Sequence, residues 1–169
     1  FQIEAGTGQG GSSGAAKKAD GANAFAALKR GLRWVDGEDG GETTGWTLLT
    51  YAVLKNDAAA VAELAGAAES KWMVHTRIQR EGFPELGIIG GVTPLHGAMS
   101  FAGIEVVCSL LDAGANPEAT DTIGTDPFMC TSMFGRSELM GFWLGRYPDW
   151  NRERGNKFGH TALLIGVRF

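Results

Sequence analysis

The sequence predicts an all-α solenoid of stacked helix-turn-helix pairs. Three observations predict it: a phrase that recurs four times, a glycine spacing that settles near one value, and a helical apolar stripe behind the best-preserved copy. The phrase starts Gly45-Trp46-Thr47-Leu48-Leu49, then Gly91-Val92-Thr93-Pro94-Leu95, then Gly124-Thr125-Asp126-Pro127-Phe128, and last Gly159-His160-Thr161-Ala162-Leu163. Its glycines are spaced by 46, 33 and 35 residues. Self-similarity at such a period marks a repeat architecture.

The copy from Gly91 to Asp121 shows why each piece folds as it does. Thr93 caps a helix start by offering its hydroxyl to an orphan amide. Pro94 follows at the first helical position, where a missing N–H costs nothing. Leu95 and Ala98 face one side of this short helix, which a turn at Ala102-Gly103 ends. Val106, Val107, Leu110 and Leu111 then follow helical spacing as the stripe of a second helix. Gly114 supplies the left-handed cap that stops it. A helix pair of this kind cannot bury its apolar face alone, so stacked neighbours must complete the core.

This copy, GVTPLHGAMSFAGIEVVCSLLDAGANPEATD, resembles the ankyrin repeat: a Thr-Pro-Leu-His phrase, a Val-Val and Leu-Leu helix, and a Gly-Ala-Asn turn, at the 33-residue ankyrin period. One departure is Ala102, where the family usually has a glycine. The third copy carries Leu139, Met140, Trp143 and Leu144 on its second helix, with Tyr147 to Asn151 in place of the small turn and two extra residues around Arg152 to Asn156. The first copy aligns from Thr47 to Leu64, with Val61 and Leu64 as its stripe. The fourth contains only its first helix, from Thr161. The resemblance implies an ankyrin-repeat solenoid with short finger loops over 22–169. It comprises a degenerate leading repeat at 22–42 and repeats starting near 43, 89, 122 and 157. Residues 1–21 form a Gly/Ser-rich tail. An insertion within 69–90 carries Trp72, Met73, Val74, Ile78, Phe83, Leu86, Ile88 and Ile89. It is expected to cover the convex back of the repeats, the other reading being a partner-docking appendage. Ala58 to Arg80 also reads as one long helix.

Charge and motifs narrow the function classes. Fifteen basic and nineteen acidic residues, interspersed, give a net charge of −4, without the basic stripe of a nucleic-acid binder. No apolar run reaches membrane-spanning length. Cys108 and Cys130 build no disulfide framework, so an intracellular setting is expected, soluble or peripheral to a complex. Gly6, Gly8 and Gly11 match a dinucleotide fingerprint formally, but helices rather than a βαβ unit follow. His75, His96, His160 and the cysteines lack metal-ligand spacing. Carboxylates such as Asp121 and Asp126 fall at turns and caps. No cofactor, metal, small-molecule substrate or catalytic residue is therefore expected. The chain opens on Phe1 and its fourth copy is unfinished, so a fragment or one domain of a larger polypeptide is expected.

The resemblance implies a non-catalytic scaffold that binds a protein partner through the concave surface of finger tips and first helices. The alternatives are a constitutive subunit of a larger complex and the regulatory domain of a larger enzyme or channel. Carried onto this sequence, the surface comprises Trp46, Leu54, Lys55, Val92, Ser100, Phe101, Thr122, Ile123, Thr125, Met133, Phe134, Lys157, Phe158 and His160, with Thr43, Thr44 and Ile89 beside them. Trp46, Phe101, Ile123, Met133, Phe134 and Phe158 are expected to form an exposed apolar ridge, and such patches mark interaction sites. His96 is expected to hold neighbouring turns in register.

Overall fold

The computed structural model describes residues 46–78 and 90–168. Among them the elements are α1 (Leu48–Leu54), α2 (Ala58–Gly66), a 3₁₀ turn (Lys71–His75), α3 (Pro94–Phe101), α4 (Ile104–Asp112), α5 (Pro127–Met133), α6 (Ser137–Arg146) and α7 (Ala162–Arg168). Helices α1, α3, α5 and α7 pack side by side in one row. Helices α2, α4 and α6 each pack behind their predecessor, and α2 also packs on α4. The fold is the helical solenoid the repeats predict. The tail, its glycine motif, the leading repeat, Thr43, Thr44 and Ile89 lie outside the described residues.

Helices of seven to ten residues are marginal in isolation, so caps and packing must hold them. The recurring phrase supplies the caps. The Thr47 hydroxyl accepts the Thr50 N–H at 3.2 Å, and the Asp126 carboxylate accepts the Met129 N–H at 2.8 Å. Thr161 accepts from Leu164 at 3.3 Å. At α3 the cap also runs backward, with the Thr93 N–H donating to His96 Nδ1 at 3.1 Å. The stripes read from the sequence, Val61 and Leu64, Val106 to Leu111, and Leu139 with Trp143, are buried in one core between the two rows.

Two local departures have clear causes. Ala102 ends α3 in an extended conformation (φ −100°), which any residue adopts, so the family's glycine is not needed there. The same turn in the neighbouring pairs is left-handed, at Asn56 (φ 54°) and Gly135 (φ 62°). Tyr147 and Trp150, after α6, stand in place of a small Gly-Ala turn and form an aromatic cluster with Trp143 of that helix. Trp143 lies 4.9 Å from Tyr147 and 5.2 Å from Trp150, edge-on to the latter.

The start of the insertion is corrected. Residues 58–80 are not one helix, since α2 ends at Gly66 and Ala67 is extended. Nor do Met73 and Val74 lie across the back of the repeats. The 3₁₀ turn is wedged among α1, α2 and α3, and both side chains are fully buried in the main core. Phe83, Leu86 and Ile88 lie outside the described residues.

Candidate protein-interaction surface

Between helix pairs the chain forms tight turns that hydrogen-bond to one another. Asp121 closes one turn: its N–H donates to the Thr125 carbonyl at 2.9 Å, and its carboxylate accepts the N–H groups of Ile123 at 2.9 Å and Thr125 at 2.8 Å. Asn156 repeats the device, bonding the His160 carbonyl at 3.0 Å and accepting from Phe158 at 3.0 Å and His160 at 3.1 Å. A backbone ladder then links turn to turn. The Thr122 N–H donates to Gly90 O at 2.9 Å, and the Lys157 N–H donates to Ile123 O at 2.8 Å. The Lys157 ammonium adds a bond to Thr122 O at 2.8 Å. The tips are thus a pre-ordered edge.

Polar side chains fix the helices behind this edge. His96 Nδ1 accepts from Thr93, so Nε2 carries the proton and donates to the Thr125 carbonyl of the next pair at 3.1 Å. Burial lowers the His96 pKa to about 4, keeping the ring neutral in this bridging role. The expected register role of His96 is what these bonds describe. Burial likewise raises the pKa of Asp121 and of Asp126, and each works as a backbone acceptor at its turn or cap. Burial also pushes the Cys130 thiol up to about 12, which keeps it protonated and unsuited to nucleophilic chemistry.

The sequence-derived surface residues divide into three sets. Lys55, Thr122, Lys157 and Phe158 are exposed, Phe158 to 67%. Trp46, Leu54, Phe101, Ile123, Met133, Phe134 and His160 are partly buried. Val92, Ser100 and Thr125 are buried, contrary to the exposure expected of them. Val92 is tucked under by its backbone pairing with Ile78, whose N–H donates to the Val92 carbonyl at 3.0 Å. The Ser100 hydroxyl turns back onto the His96 carbonyl at 2.9 Å, and Thr125 is held between His96 and Asp121.

The expected ridge is also redrawn. Trp46, Phe101 and Phe134 do come together, but they pack on Ile78 and Val92 as a small second core. The Phe101 and Phe134 rings are 4.8 Å apart. Met133 packs on the main core. Ile123 and Phe158 belong to neither cluster among the described residues, and Phe158 stands 6.1 Å from the His160 ring.

Sequence reasoning missed three organising residues. Arg77 donates to the Gly91 carbonyl at 3.1 Å and also to the Thr120 carbonyl, joining two turns. Arg136 donates to the Ser100 carbonyl at 3.0 Å and the Ala102 carbonyl at 2.6 Å, satisfying the open end of α3. Asn56 accepts the Gly103 N–H at 2.7 Å. Their residue type carries no signal, because arginine and asparagine in loops read as ordinary solvated residues.

Paired helices in two rows, joined by laddered turns and bridged by a buried histidine, define a helical-repeat protein. Residues 90–122 match the family model described as "Ankyrin repeat", so the chain contains an ankyrin repeat within its helical stack. No match was found among curated proteins. Ankyrin repeats are typically non-catalytic modules for protein–protein interaction. Among the described residues, no helix is long and apolar enough to cross a membrane.

Proposed function

We propose that this chain is a non-catalytic scaffold that binds a protein partner along the edge of its finger tips. The carrying observation is the ladder from Gly90 through Thr122 and Ile123 to Lys157, which pre-orders the exposed side chains of Thr122, Lys157 and Phe158. Pre-ordering lowers the entropy a partner's docking must overcome. Phe158 is the anchor of this surface, because exposed aromatic residues dominate binding energetics when they fill a partner's pocket. Trp46, Phe101, Phe134 and Met133 act from beneath, as packing that holds the edge. Lys55 and Leu54 extend the surface along α1, while Ile123 and His160 flank Phe158. The unpaired cysteines Cys108 and Cys130 fit an intracellular setting.

The test uses a photo-crosslinking amino acid placed at Phe158, at Thr122, and at exposed Asp112 on α4 as a control. The proposal expects discrete adducts from positions 158 and 122 in cell extract, competed by unlabelled protein and absent at 112. For the partner so identified, Phe158→Ala should weaken binding at least about tenfold with an unchanged circular-dichroism spectrum. Equal adducts at all three positions, or unchanged affinity, would refute the finger-tip assignment.

A further inference from the structure

The start of α3 is held by a side chain that can hold it in one protonation state only. His96 Nδ1 accepts the Thr93 N–H at 3.1 Å and stands 2.9 Å from the Thr93 hydroxyl, while Nε2 faces the Thr125 carbonyl at 3.1 Å. A neutral ring with its proton on Nε2 fits all three contacts. An imidazolium carries a proton on each nitrogen, so Nδ1 would confront the Thr93 N–H donor to donor. Thr93 and His96 are both buried, so water takes over that amide only through local opening. The bond from Nε2 to Thr125 survives protonation. The strain therefore falls on the α3 side of the junction.

The surroundings do not relieve a charge on the ring. His96 lies in the first turn of α3, at the positive end of the helix. Arg77, beyond the wedged 3₁₀ turn, is a second positive charge acting on it. Across the junction the Asp121 carboxylate is turned to the amides of Ile123 and Thr125, and the Asp126 carboxylate caps α5 at Met129. Arg136 binds carbonyls at the far end of α3. Cys130 of α5 and Cys108 of α4 are free thiols. Of the other elements packed on α3, α1 has Tyr51 as its one titratable group. Glu105 and Asp112 of α4, and Lys71 and His75 of the 3₁₀ turn, are exposed.

Release at Thr93 reaches the finger edge within three residues. The Gly91 N–H donates to Ile78 O at 2.8 Å, and Gly90 O accepts the Thr122 N–H at 2.9 Å. Both bonds lie just before the freed cap. The rung from the Lys157 N–H to Ile123 O is one turn further along.

We propose that His96 is an acid-operated latch on the finger edge: a proton added at Nδ1 frees the start of α3 and slackens the rung from Thr122 to Gly90, while the rung at Lys157 stays closed. Acid then disorders the part of the edge that carries Thr122. The consequence for partner binding rests on the finger-tip reading above; the opening itself does not.

Amide exchange of the whole chain, followed by NMR at pH 7.5 and pH 5 and corrected for intrinsic rates, reads the latch without any partner. An opening that lets the ring titrate at 6.5 rather than about 4 becomes about thirtyfold more populated over that range. The Thr93 and Thr122 amides should accelerate by about that factor, and the Lys157 amide should not. His96→Gln keeps a side-chain acceptor suited to a capping box and does not titrate. Most of the acceleration at Thr93 and Thr122 should vanish in it, the contributions of Asp121 and Asp126 being common to both proteins. Ring nitrogen shifts of the wild type at pH 7.5 should show the proton on Nε2. Equal acceleration at all three amides overturns the inference, because it reports unfolding of the whole stack. So does a ring protonated on Nδ1 at pH 7.5, a Thr93 amide indifferent to pH, or undiminished acceleration in His96→Gln. If that variant does not fold, the wild-type amides and ring shifts decide alone. Loss of the crosslink at Phe158 with these amides behaving as expected would sink the finger-tip reading and leave the latch standing.

Discussion

Replacing Gly91 by alanine tests whether the finger ladder depends on close approach of the turns. Gly91 has φ +87°, where an L-residue is strained by about 1–2 kcal/mol. A Cβ there would also stand 3.0 Å from the Thr122 nitrogen and 3.2 Å from its methyl group. The Thr122 N–H is the donor to Gly90 O at 2.9 Å, so relieving the clash must lengthen that bond. Thr122 is exposed and water can replace the lost acceptor, so the bond is worth about 0.5–1.5 kcal/mol net. The two costs together come to about 2–3 kcal/mol.

Gly114→Ala is the matched control. Its φ is +95°, but nothing lies within 4 Å of its Cβ position, so only the strain of about 1–2 kcal/mol applies. Urea unfolding followed by circular dichroism should place Gly91→Ala about 1 kcal/mol below Gly114→Ala. Hydrogen exchange at the Thr122 amide should accelerate only in the former. Equal destabilisation with an unchanged Thr122 amide would refute the argument that the turns are held by their mutual approach.

Two further outcomes follow from the polar bridges. The His96 pKa is lowered from 6.5 to about 4, so the unfolded chain binds a proton more readily, and stability is full above the unfolded pKa and lost as pH falls toward about 4. Between pH 7.5 and 5 this amounts to about 2 kcal/mol. His96→Gln should lose that part of the pH dependence in urea titrations, while the contributions of Asp121 and Asp126 are common to both proteins. Arg136→Ala removes two charged donors from the end of α3 and should cost about 2 kcal/mol; Arg136→Lys should recover less than half of it, because an ammonium lacks the planar fork. Thermal melts of both variants against Arg152→Ala, an exposed arginine, provide the measurement.

The fold was legible wherever one residue type does one job locally. Threonine or aspartate before a short apolar helix, a Val-Val and Leu-Leu stripe, and a stopping glycine at Gly114 each specify their element without help from distant residues. The surface was less legible, because exposure is a property of what lies across from a residue. Val92 reads as a finger residue by position, yet Ile78, fourteen residues earlier, pairs with its backbone and buries it. Ser100 is buried because its hydroxyl returns to its own helix. Phe101 and Phe134 come together as partners in packing rather than as a free face.

The junctions between pairs explain why only one repeat matches the family model although the helical stack continues on both sides of it. The α3–α5 junction has the histidine of the family phrase, and it adds Arg77 and Arg136. The α1–α3 junction has Thr50 at the histidine position, and Asn56 reaches the Gly103 N–H instead. The α5–α7 junction has Met129 there, and the Lys157 backbone and ammonium make the cross-links. Each junction thus satisfies backbone groups of its neighbour with a different side chain. Stacking energy comes from the shared apolar core, and the polar bridges only have to satisfy backbone groups left open at the junction. A repeat array under that constraint can change its signature residue at every junction while keeping its helices in register, provided the turn glycines that let the fingers meet remain.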